Sequence, residues 1–101
     1  MTPNDQRIAI ATAMGWTEIE YARNGIFLFG IDPEDGERRG IPKYTEDLNA
    51  MHVTERCLSP EQRDSYVAML WQSGTIADAV LAPAERRAEA FIRTIGKWIG
   101  E

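Results

Sequence analysis

Apolar positions along this chain follow two spacings, and the switches between them mark out the elements. Ile8, Ile10, Ala11, Ala13 and Met14 recur on the three-four spacing of a helix. Thr2 ahead of them is a good N-cap, and Pro3 fits the first helical position, where a missing N–H costs nothing. Gly15 supplies a stop, so the spacing predicts a helix over roughly 3–14. The pattern then changes to the β-prone stretch "WTEIEYAR-NG-IFLFGID". At its centre Asn24-Gly25 is the pair that best tolerates the positive φ angles of a type I′ turn. A two-residue loop sets Arg23 opposite Ile26, Tyr21 opposite Leu28 and Glu20 opposite Phe29, which assigns each side chain to a face. One face, with Ile19, Tyr21, Ile26 and Leu28, is expected in the core. The other carries Trp16, Ala22, Phe27, Phe29 and Ile31 among Glu18 and Glu20. A covering helix is the favoured reading of this mixed face, over an apolar patch left for a partner.

Residues 32–44, "DPEDGERRGIPKY", combine two prolines and two glycines with charges and read as a surface loop. Thr45 is placed to cap a helix over "EDLNAMHVTERC", from which Leu48, Met51 and Val53 are expected to reach a core. Ser59, Pro60 and Gln62 form a capping box with a helix-start proline. They open a helix over about 60–72, whose Tyr66, Val67, Met69, Leu70 and Trp71 predict deep burial. Residues 75–82 are ambiguous between a short strand and a connection, with strand weakly favoured. Pro83 begins a last helix in which Ala88, Phe91, Ile92, Ile95, Trp98 and Ile99 share one face. Glu85, Arg86, Glu89, Arg93 and Lys97 form its outer side. The expected fold is α+β, a small antiparallel sheet built on a β-hairpin and packed with three to four helices as a layered α/β sandwich. At 101 residues it makes a single domain, 1–101.

Composition narrows the functional classes. An apolar fraction of 44% and a charged fraction of 27% are ordinary for a globular chain. The longest apolar run, Ile26 to Ile31, is too short for a bilayer, and Asn4 and Asp5 stand where a signal peptide needs basic residues. No membrane association and a cytoplasmic location are therefore expected. The lone Cys57 permits neither an internal disulfide nor a thiolate metal cluster, and a buried structural thiol is the expected state. A net charge of −5 opposes non-specific nucleic-acid binding. Arg38 with Arg39, and Arg86 with Arg87 and Arg93, are the basic clusters, read first as solvated surface charge.

Three blocks, "IAIATAMGW" at 8–16, "DLNAMHVTERCLSPEQRDSYVAMLW" at 47–71 and "RRAEAFIRTIGKW" at 86–98, resemble the phage ABA sandwich domain family. The stretches Asp47 to His52 and Arg93 to Trp98 carry most of the likeness. The resemblance implies layered α/β/α packing and an origin in phages or prophages. It assigns no activity and no catalytic residue.

Chemistry is sparse. His52 is the only histidine, with Glu55 three and Arg56 four positions on, a pattern that fits either an ordered helix histidine or a general acid/base. The acids from Asp32 suggest calcium, but the twelfth loop position is Lys43 where a bidentate acid is needed. Asp47 and Asn49 flank a helix start, where capping competes with ligand binding. No P-loop, GxGxxG, HExxH or GxSxG occurs, so the balance is against an enzyme, and no cofactor or metal is expected. The first functional reading is a phage accessory protein that binds a host or phage protein, antiviral defence components among its targets, with Glu34, Asp35 and Glu37 as mimics of nucleic-acid charge. The second is a small-ligand or nucleotide site, within one chain or at a homodimer interface, with Arg38, Arg39 or His52 on phosphate. A metal-dependent hydrolase built on His52, Glu55 and Asp47 ranks third. The candidate binding residues are Asp47, Asn49, His52, Arg38, Arg39, Phe27 and Phe29.

Overall fold

The computed structural model describes residues 1–22, 27–71 and 82–99. The Asn24-Gly25 turn, with Arg23 and Ile26, and the ambiguous segment up to Leu81 lie outside the described residues. Within them the fold is α+β: α1 (Pro3–Ala13), β1 (Thr17–Tyr21), β2 (Leu28–Ile31), β3 (Arg38–Gly40), α2 (Leu48–Glu55), α3 (Pro60–Trp71) and α4 (Ala84–Thr94). The three strands form one antiparallel sheet in the order β1-β2-β3.

Helix boundaries follow the sequence signals where those signals are local. Thr2 accepts from the Asp5 amide at 3.1 Å ahead of Pro3, as the N-cap rule requires. At the other end of α1 the Trp16 amide bonds to the Ala11 carbonyl and the Gly15 amide to that of Thr12, a Schellman motif. It needs a positive φ, met by Gly15 at 97°. The capping box at α3 is reciprocal: the Ser59 amide donates to Gln62 Oε1 at 2.9 Å, and the Gln62 amide to Ser59 Oγ at 3.2 Å.

A second Schellman motif ends α4, with Gly96 at φ 75° and the Lys97 amide bonded to the Ile92 carbonyl. This stop overrides the apolar spacing that extended the last helix through Trp98 and Ile99. Ile99 lies beyond it, 75% exposed. At α2 the cap is Asp47 rather than Thr45, its Oδ1 accepting from the Asn49 and Ala50 amides at 3.0 and 3.2 Å. The shorter helix turns only Met51 and Thr54 fully inward and leaves Leu48 and Val53 exposed, against expectation. Helix α3 is likewise less buried than its composition suggested: Tyr66 and Leu70 are inside, Val67 and Trp71 outside.

The core is organised by α4, which packs against α1, α2 and α3. Ala88, Phe91 and Ile92 on α4 meet Ile10, Met51, Tyr66 and Leu70 from the other three helices. Leu28, Ile41, Tyr44 and Trp16 join the sheet to the same cluster. The hairpin register agrees with the sequence at Tyr21 opposite Leu28 and Glu20 opposite Phe29, but a β-bulge lies between Thr17 and Glu20, with Glu18 at φ 50°. Before the bulge the pairing shifts by one, so Thr17 faces Ile31. A one-residue shift moves side chains to the opposite face. Trp16 therefore goes to the core side with Leu28, not to the Phe27/Phe29 side where the unbulged register placed it. A Cβ at Gly30 would sit 3.3 Å from the Trp16 ring and 3.1 Å from the Thr17 carbonyl oxygen, so glycine makes room for the tryptophan.

Residues 32–44 also differ from the expected loop, because Arg38–Gly40 pair with Phe29, Gly30 and Ile31 as a third strand. The turn between them is held by Asp32, which accepts from the Glu34 amide, and by Asp35, which accepts from that of Glu37. Local acids thus close a hairpin that propensity alone did not indicate.

Candidate functional site

Three groups of predicted site residues occupy three places, and no hydrogen bond or ion pair joins them among the described residues. Phe27 and Phe29 belong to the sheet. Alternation along β2 puts Phe27, Phe29 and Ile31 on the face opposite Leu28 and the core. Phe27 is 61% exposed, so no helix among the described residues covers it as expected. Its ring lies 6.3 Å from that of Phe29, tilted by 48°. Across the pairing, Phe29 is opposite Gly40, where a Cβ would meet nothing within 4 Å, so the face is open beside the ring. Arg38 on β3 reaches over β2 to an ion pair with Glu20 on β1, bordering the aromatic pair with one balanced charge couple. Tyr21, assigned to the core by register, sits at the strand end and is exposed.

The arginines proposed for phosphate are already engaged. Arg38 holds Glu20, and Arg39 bonds Asp35 at 2.6 Å and Glu37 at 3.2 Å, with Asp32 at 3.9 Å. The Arg39 guanidinium in turn lowers the Asp35 carboxyl below the ordinary carboxylate range. The acids offered as charge mimics are therefore partly neutralised by the arginines beside them.

In the third group, Asp47 is a cap, and Asn49 gives it a backbone amide rather than a side chain. Exposed His52 approaches Glu55, Nδ1 to Oε1 3.4 Å. Glu55 also receives Arg87 Nη1 at 3.1 and 3.0 Å, a contact spanning 32 residues of sequence. Arg87 is only 7% exposed, not the solvated charge expected, and its Nε donates to the Ala82 carbonyl at 2.8 Å. Sequence reasoning did not find this pair. The available signal was position: Arg87 stands four residues before Phe91, within the buried stripe of Ala84, Ala88 and Phe91. Tyr66 packs beside the pair, and burial, reinforced by the Glu55 charge, pushes its phenol well above the ordinary value. Cys57, at the helix junction, is exposed rather than buried.

No group of three or more His, Cys, Asp or Glu side chains among the described residues could hold a metal ion. No described helix is long and apolar enough to cross a membrane. Compared with models of known families, with curated proteins and with solved structures, the chain matches none.

Proposed function

We propose that this chain is an accessory protein of a phage or prophage that acts in the host cytoplasm by binding another protein, with a host defence component as the leading class of target. The phage attribution rests on the three resembling sequence blocks. The binding reading rests on one observation: the Phe27 and Phe29 rings share the sheet face turned away from the core, and the outer ring is largely in solvent. Exposed aromatic side chains of this kind are the common anchors of protein interfaces, because they desolvate a large area with few torsions to freeze. The Glu20–Arg38 couple gives the patch a polar border.

The test compares wild type with Phe27→Ser in pull-downs from host lysate, alongside sedimentation of each protein alone. A partner retained at near-stoichiometric level by wild type and lost by the variant supports the reading. A partner held equally by both, or no partner with either, removes it. Self-association of wild type that Phe27→Ser abolishes would assign the face to a homodimer instead.

A further inference from the structure

A cleft of about 370 Å³ opens where α2 turns into α3, lined by Glu55, Arg56, Leu58, Arg63, Tyr66 and Val67. Its charge is unlike the rest of this acidic chain. Glu55 is matched by Arg87, whereas neither Arg56 nor Arg63 has a carboxylate within 4.0 Å among the described residues. Arg63 is held in place by a 3.2 Å bond from Nη2 to the Arg56 carbonyl, which fixes one guanidinium on the cleft wall and leaves its other donors available. Tyr66, 3% exposed, lines the same cleft with its phenol against the Glu55–Arg87 pair.

We infer that this cleft binds a phosphoryl group, as free phosphate or at the end of a nucleotide, with Arg56 and Arg63 as its charged contacts. Two guanidiniums offer more N–H donors than one carboxylate can accept, and a tetrahedral dianion uses them better. Leu58 and Val67 supply an apolar wall for the remainder of a nucleotide. This site is separate from the sheet face and stands or falls without it.

A merely structural role for Arg63, closing the C-terminal carbonyls of α2, predicts no anion binding at all. Titrating the full chain with inorganic phosphate, AMP and adenosine, followed by NMR shifts and thermal midpoint, separates the two. The expected result is a saturable response to phosphate or AMP, centred on Arg56, Arg63 and Val67, and none to adenosine. AMP binding more tightly than phosphate identifies a nucleotide site, and equal binding identifies a phosphate site. Arg56→Gln with Arg63→Gln should weaken the response at least about tenfold, and the paired lysine variants should retain part of it. No saturable response below about 10 mM, shifts centred elsewhere, or undiminished binding by the folded glutamine variant overturns the proposal.

Discussion

The helical interior around α4 and the outer face of the sheet treat the same residue types in opposite ways. Inside, a guanidinium is buried: Arg87 is tolerated because Glu55 and the Ala82 carbonyl satisfy its donors. Outside, two phenylalanines border water while Arg38 and Glu20 pair beside them. Hydrophobicity alone would have assigned both regions wrongly. A charge can be interior when its hydrogen bonds are complete, and an aromatic can be exterior when the element beneath it already has a core on its other side. Losing either partner of the first arrangement would leave a buried charge unpaired, which is costly to folding. The second contributes little to folding, which is why it is the better place to look for a partner.

Substitutions can break this contrast, beginning with those of largest effect. Ile92→Ala removes a fully buried side chain at the centre of α4. It should cost about 3 to 4 kcal/mol, read as a fall in the denaturant midpoint; a loss below about 1 kcal/mol would mean that α4 is not the hub. Glu55→Ala leaves Arg87 buried without its carboxylate and should cost about 2 to 3 kcal/mol. Adding Arg87→Met should recover part of that loss, a coupling that a double-mutant cycle measures directly.

Alkaline pH probes the same interior. Burial pushes the Tyr44 phenol up to about 12 from 10.0, and that of Tyr66 is raised as well. The unfolded chain ionises these phenols at the ordinary value while the folded chain keeps them neutral. The stability they contribute is therefore complete below pH about 10 and is lost as pH climbs from there through 12. Urea midpoints between pH 8 and 11.5 should fall only above about pH 10, and Tyr44→Phe should reduce the slope. Ser59→Ala, which breaks the capping box of α3, should cost about 1 kcal/mol. Phe27→Ser closes the series: folding stability should change by less than about 0.5 kcal/mol, while partner capture is lost. A large destabilisation there would show that the sheet face belongs to the core after all.

Much of the fold could be read from residues whose signals act over three or four positions. Thr2-Pro3, Gly15, the Ser59 to Gln62 box and the alternation around Phe29 placed helix starts, a helix stop and the hairpin pairings Tyr21–Leu28 and Glu20–Phe29 that the structure reproduces. The errors share a different cause. Trp16 changed face because of a bulge, Arg38–Gly40 became a strand through pairing with β2, and Ile99 left the core because Gly96 ended the helix earlier than the apolar spacing did. Of the predicted site residues, Phe27 and Phe29 share a face as register required, whereas Arg38 and Arg39 are occupied by neighbouring acids.

From the residues alone, the four helices, the caps of α1 and α3 and the class of the fold were legible, because capping, turn formation and periodicity are set by neighbours along the chain. Tertiary structure alone decided which side of the sheet met the helices, that Arg87 would find Glu55, and that Arg56, Arg63 and Tyr66 would line one cleft. Those outcomes depend on contacts between segments many residues apart, where the gain from pairing or burial is fixed only once the chain has closed on itself.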